Sequence, residues 1–559
     1  MSAARANGSI VHDPSGFALP SSQRAAIRWF VYVGFGAMGI AVIHGFAQAL
    51  NYAGINVLTW FPGLQSYYQG LTIHGVFNAL VLTFAFTNGF LALTTARGLG
   101  RPLHGPLLQA SLWTLILGVL LSGWAMFSGR ASVLFTFYPP LQAHPAYYLG
   151  LALLVVSTWL LSINLFWSLS RWRRENPGQR IPLLAFISVA TYAMWDLASL
   201  GIAVEVVGLL LPWSLGWLDG ADPLLSRTLF WFSGHAIVYF WLLPAYVSWY
   251  AFVPRHAGGK IFSDPLTRVV FLLFLALSIP TGFHHQYADP GIPEAMKFTH
   301  AILTFGVFYP SLITAFSVIA ALEMGGRARG GRGLTGWFFK LPWGDPSLSA
   351  QVLAMLVFVL GGITGLINAS FNVNQVVHNT AWIPGHFHMT VGTAVALSFM
   401  GIAYWLVPWL SSRELRGRRI AVAQSWIYFV GVLVFARGMI SGGLEGMPRR
   451  TFMVAATYSK PSWELAGVLT AVGGTIMFLS VILFVGVMLA TILAGRRRDP
   501  GDIPFADTLV GPAVSGWERH FDRFGIWVAV TILLIVIAYA PFLVSYLPPK
   551  LWSSGFSIY

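Results

Sequence analysis

The chain has 559 residues, 56% of them hydrophobic and only 9% charged, with a mean hydropathy of +0.69. A water-soluble domain cannot keep that much apolar surface from water, so composition excludes a soluble globular protein and predicts a polytopic membrane protein. The formal net charge of +14 follows membrane topology rather than a nucleic-acid footprint, and the absence of cysteine excludes thiolate-ligated copper, iron-sulfur clusters and covalently attached haem within this chain.

Residues 1–25 are polar, lack an apolar signal core and read as a short cytoplasmic tail. Residues 26–547 read as a single all-α transmembrane unit of about thirteen helices, each an apolar run long enough to cross a ~30 Å hydrocarbon layer. The predicted spans are 26–48, 69–94, 107–127, 145–170, 181–211, 226–253, 267–285, 298–322, 350–371, 384–410, 421–441, 465–493 and 524–547. Residues 548–559 are a tail on the far side. Basic residues collect in alternate connections, such as Arg97 and Arg101, Arg171 to Arg180, Arg327 to Arg332, and Arg496 to Arg498. The positive-inside rule makes those connections cytoplasmic, which places the N-terminus inside and the C-terminus outside.

Taken in chain order, the membrane histidines begin with His74, in Gly70-Leu71-Thr72-Ile73-His74-Gly75, where Gly75 leaves room for a flat group. Alone, such a residue is more often a satisfied core histidine. His235 lies about nine residues into the sixth predicted span, with Tyr239 at i+4 on the same face. The seventh span ends in Thr281-Gly282-Phe283-His284-His285-Gln286. Adjacent histidines diverge by about 100° on a regular helix, but Pro280 and Gly282 permit an irregular end that turns both rings to one point. His386 and His388, in Trp382-Ile383-Pro384-Gly385-His386-Phe387-His388, point to opposite sides of one helix and suit two large flat cofactors flanking it. The alternating topology puts all six in the exterior third of the bilayer, where polar groups are costly and usually functional. His235, His284 and His285 suit a copper or zinc ion with an open position. His74, His386 and His388 suit haem iron.

With Gly234-His235-Ala236-Ile237-Val238-Tyr239-Phe240-Trp241, Phe283-His284-His285-Gln286 and Val377-His378-Asn379-Thr380-Ala381-Trp382 leading into Pro384-Gly385-His386-Phe387-His388, the chain resembles subunit I of the haem-copper oxygen reductases. The resemblance runs over essentially all the spans and is strongest to the B family, the ba-type cytochrome c oxidases. It implies that His74 and His388 ligate a low-spin haem b, His386 a high-spin a-type haem, and His235, His284 and His285 the copper CuB. It also implies that Tyr239 is the active-site tyrosine, covalently joined to His235. Reduction of O2 to water, with proton uptake and pumping in the cell membrane of a bacterium or archaeon, is the implied activity. Electrons would come from cytochrome c or a small copper protein through a separate CuA-bearing subunit II, with a small single-span subunit as a further partner.

Tyr246 and Tyr250 lie 7 and 11 residues beyond Tyr239, near its helix face, and step towards the cytoplasm. Ser311 and Thr314 share a face of the eighth span, and Ser263 lies in the loop. The resemblance gives these five the role of a single proton-uptake path. Arg449 and Arg450 break the positive-inside trend on the exterior side and suit a clamp for haem propionates. Asn374 stands near them where an acid is expected, beside His378. His104, His144, His256 and His520 read as loop residues, His44 and His300 are unassigned, and Glu205 reads as a structural hydrogen-bonding acid. A nitric oxide reductase, which places a carboxylate near its non-haem metal, fits less well because Ala236 to Tyr239 offers none. A secondary or metal-ion transporter would show inverted repeats and interrupted midplane spans.

Overall fold

A computed structural model describes residues 11–12, 17–61, 63–499, 501, 503–511 and 516–551. Among these, twelve helices are long and apolar enough to cross a membrane: Ser21–Tyr52, Tyr67–Leu99, Gly105–Phe127, Pro145–Glu175, Leu183–Ser214, Pro223–Ala257, Glu294–Ala328, Pro346–Ala369, Trp382–Ser411, Arg418–Leu444, Pro461–Ala494 and Phe524–Ser545. The expected tail of residues 1–25 lies largely outside the described residues, and the first helix has already begun at Ser21. Of the expected tail 548–559, residues up to Leu551 continue the last helix and the rest lie outside the described residues.

Helix starts follow their local chemistry. Ser66, Asp222 and Asp345 accept from a backbone N–H three residues on, at 2.8 to 3.1 Å, and a proline follows each of the two aspartates. His104 and His144, read as loop residues, cap the next two helices through ring Nδ1, and His256 lies 3.4 Å from Asp345. Three spans are interrupted by π-helical turns, Phe77–Leu82 just after His74, Val206–Leu210 just after Glu205 and Thr390–Val395 just after His388, a feature common at functional sites. With no water to drive association in lipid, close backbone approach matters. A Cβ on Gly473 would lie 2.2 Å from Phe435 N, and one on Gly150 would lie 2.6 Å from Ser122 N.

The seventh of the thirteen expected spans, 267–285, is not a continuous helix. The helix Asp264–Leu277 has 14 residues, roughly 21 Å of rise, too short to cross alone. Pro280, which has no N–H, follows its end, and the chain continues as a single 3-10 turn, Gly282–Gln286, before Gly291 packs on Leu224. Such irregular backbone is tolerated at depth only when protein surrounds it. Gly282, Phe283, His284 and Gln286 are all buried. At the other end, Ile261–Ser263 pairs in parallel with Thr508–Val510. There Arg268, 1% exposed, bonds Asp264 and Asp522 and donates to the Ile181 carbonyl, tying three connections together.

Candidate metal and cofactor site

The broken helix delivers His284 and His285 to the face of Pro223–Ala251 that carries His235. The ligand nitrogens of the three rings lie within 4.8 Å of one another, and His235 Nδ1 is 3.3 Å from His285 Nε2. Two nitrogens bound to one ion at about 2.0–2.1 Å in tetrahedral geometry sit roughly 3.3 Å apart, so the trio is spaced to share an ion. Thr304 fixes one ring. Its hydroxyl donates to the His300 carbonyl at 2.6 Å and accepts from His284 Nδ1–H at 2.9 Å, which leaves His284 Nε2 free to ligate. The Tyr239 ring lies 4.8 Å from that of His235, centre to centre, and His235 Nε2 is buried without a hydrogen-bond partner.

His74 and His388 face each other with ring centres 6.2 Å apart and planes 11° from parallel. Two imidazole nitrogens at about 2 Å on either side of one metal ion place their ring centres roughly 6 Å apart, the spacing found. Each Nδ1 donates to a backbone carbonyl, His74 to Ala41 at 3.0 Å and His388 to Pro384 at 2.8 Å, so both Nε2 atoms keep a free lone pair. His386 is held the same way, with Nδ1 at 3.1 Å from the Gly361 carbonyl and 2.9 Å from Thr364 Oγ1. All six histidines line one cavity of about 750 Å³. A packed interior leaves few voids larger than a water molecule, so this volume is built for large groups, and the ring orientations fit two flat metal complexes and one ion.

Gly75 lines the cavity beside His74, and a Cβ there would lie 3.1 Å from the Phe135 ring. The room for His74 comes from Gly45, whose Cβ would lie 2.4 Å from His74 Cε1. Arg449 and Arg450 also line the cavity. Arg449 donates to Asn379 Oδ1 at 2.7 Å, and Arg450 lies over the Phe135 ring at 5.6 Å. Neither takes part in an ion pair among the described residues. Burial first, and the neighbouring Arg450 second, push the Arg449 guanidinium down to about 9. Two crowded cations aimed into a cavity fit anionic carboxylates. Asn374 and His378 stand in the same wall, with the His378 imidazole lowered by burial and then by Arg449.

Below Tyr239, Tyr246 Oη is 3.1 Å from Ser311 Oγ, and Tyr250 Oη donates to Thr314 Oγ1 at 3.0 Å. These four residues form two hydroxyl pairs between one helix pair. Ser263 is not brought to them by any described contact; its hydroxyl caps the short helix, accepting from Leu266 N at 3.3 Å. Glu205 accepts from Ser226 Oγ at 2.6 Å, as a structural acid would.

Residues 25–476 match the family model described as cytochrome c and quinol oxidase polypeptide I. The chain belongs to this family. It is 44% identical over 533 residues to cytochrome c oxidase subunit 1 of Thermus thermophilus, covering 93% of this chain and 94% of that one. Cytochrome c oxidase polypeptide 1 of Halobacterium salinarum is 25% identical over 523 residues, covering 89% and 84%. Among solved structures, a heme-copper terminal oxidase dimer determined by cryo-electron microscopy superposes with a TM-score of 0.90 at 38% identity, covering 93% of this chain and 92% of that one. Membership of the family implies haems and copper as the occupants of the cavity.

Sequence reasoning missed Trp231, whose ring lies flat on His285 at 3.8 Å and 4°. Its position, one helical turn before His235, was the available signal. Thr304, Thr364 and Gly45 come from other helices and carried no signal of their own.

Proposed function

We propose that the chain is the oxygen-reducing catalytic subunit of a B-family, ba-type cytochrome c oxidase, and the convergence of six imidazoles on one cavity carries this reading. His74 and His388 would hold a low-spin haem b, His386 a high-spin a-type haem, and His235, His284 and His285 the copper CuB. When bound, these groups supply the one-electron redox chemistry that reduction of O2 to water requires.

The chain's own residues do the rest. Carbonyl and hydroxyl acceptors on the Nδ1–H of His74, His284, His386 and His388 fix their tautomers and keep the ligating nitrogens aimed inward. Tyr239 holds a proton at its hydroxyl one turn from His235, the ring it is joined to in this reading. The pairs Tyr246 with Ser311 and Tyr250 with Thr314 pass protons towards it from the arginine-rich cytoplasmic end, with Ser263 at the mouth of the path. Arg449 and Arg450 hold the haem propionates. A CuA-bearing subunit II on the exterior face passes electrons from cytochrome c, a small single-span subunit completes the assembly, and the reaction is coupled to proton pumping.

Pigment extraction with metal analysis, followed by oxygen uptake with reduced cytochrome c, tests the assignment. Two haems and one copper per chain with rapid uptake are expected. A colourless protein, or iron in the copper's place with turnover of nitric oxide, would defeat it.

A further inference from the structure

The turn that carries His284 and His285 lies at membrane depth with its backbone out of helical register, so each of its N–H and C=O groups must find a partner inside the protein. Backbone partners account for Thr281 N, bonded to the Ile279 carbonyl at 2.7 Å, and for His284 N, bonded to the Thr281 carbonyl at 3.2 Å. The two N–H groups between them are satisfied by side chains from two other helices. Gly282 N donates to Tyr539 Oη at 3.1 Å, and Tyr539 Oη donates in turn to the Ile279 carbonyl at 3.1 Å. Phe283 N donates to His300 Nδ1 at 3.2 Å, and His300 Nε2–H donates to the Ala538 carbonyl at 3.0 Å. The ring of His300 is thereby a neutral two-ended strut between the turn and the last span, and both Tyr539 and His300 are at most 1% exposed. Gly282 makes this possible, since a Cβ there would lie 2.1 Å from the Trp231 carbonyl and 2.4 Å from Tyr539 Oη.

We propose that Tyr539 and His300 are positioning residues for the metal-binding turn: with the last span as anchor, they hold the backbone of Ile279 to Phe283 so that the His284 and His285 nitrogens stay at metal-binding distance from His235. Neither residue ligates anything. This rests on the reading of His235, His284 and His285 as a copper site. Losing Tyr539 Oη leaves Gly282 N–H without a partner and takes one of two donors from the Ile279 carbonyl, and losing the His300 ring nitrogens leaves Phe283 N–H without a partner. The turn then relaxes by rotating the very residues that carry the ligands, whose geometry tolerates a drift of only about 0.5 Å.

The test compares Tyr539→Phe, His300→Phe and His300→Gln with Thr531→Val in the purified, assembled enzyme. Thr531 is a control on the same span, its hydroxyl bonded to the Trp527 carbonyl at 2.8 Å and to Leu275 at 3.3 Å, away from the turn. Copper per chain, the rate of copper removal by a chelator and the reduced low-spin haem band are read for each. Tyr539→Phe and His300→Phe are expected to release copper about tenfold faster or more, with the low-spin band unchanged. His300→Gln, which keeps one acceptor and one donor, is expected to recover much of the loss, and Thr531→Val to match wild type. Wild-type copper retention in Tyr539→Phe, or equal copper loss in Thr531→Val, would overturn the proposal. A wild-type enzyme without copper would instead defeat the copper reading itself.

Discussion

Replacing Gly45 by alanine adds one methyl group to the first helix and aims it at the ring of His74. The new Cβ would lie 2.4 Å from His74 Cε1 and 2.5 Å from Nδ1. Carbon contacts are comfortable from about 3.5 Å, so ring or helix must give by about 1 Å, half the length of a metal–imidazole bond. Overpacking of this kind costs about 1–3 kcal/mol, and pulling Nδ1 away from the Ala41 carbonyl, now at 3.0 Å, costs about 0.5–1.5 kcal/mol more. The total, roughly 1.5–4.5 kcal/mol, corresponds to roughly 10- to 2000-fold weaker retention of the haem held between His74 and His388. Visible spectra of the reduced enzyme and haem extraction report it: the low-spin band should shrink while the copper stays. Gly75→Ala, whose Cβ meets Phe135 at 3.1 Å instead, should be milder. A full low-spin band in Gly45→Ala would refute the reasoning.

Tyr239→Phe should abolish oxygen turnover while leaving the low-spin spectrum intact, and normal oxygen uptake would remove the tyrosine from the mechanism. Arg449→Met removes a cation from the cavity wall and should speed haem release about tenfold without introducing a pH break, because a guanidinium stays charged across the working range. Wild-type haem-release rates would take Arg449 out of the propionate clamp. Asp522→Ala removes partners of the buried Arg268 and of Arg180, at 2.9 and 3.2 Å, and should cost about 3 kcal/mol of stability, seen as a lower midpoint of thermal inactivation. An unchanged midpoint would mean that Asp264 alone suffices for Arg268.

What one helix carries was legible in the sequence. His235 and Tyr239 share a face by spacing, His386 and His388 face opposite ways by the same periodicity, and the alternation of arginine-rich connections put six histidines at one depth, where the structure gathers them round one cavity. Local chemistry also marked Pro280 and Gly282 as an irregular end, although the span they interrupt was expected to be a helix. What the sequence left open was every relation between helices. The close approach of Gly45 to His74 comes from the neighbouring helix, Ser263 meets none of the path hydroxyls through a described contact, and Trp231, Thr304 and Tyr539 looked like ordinary membrane residues. The division has a physical cause. Helical repeat and bilayer thickness fix the direction and depth of a side chain from its position in the chain alone, whereas which ring meets which carbonyl depends on close contacts between segments hundreds of residues apart, and only the packed bundle decides those.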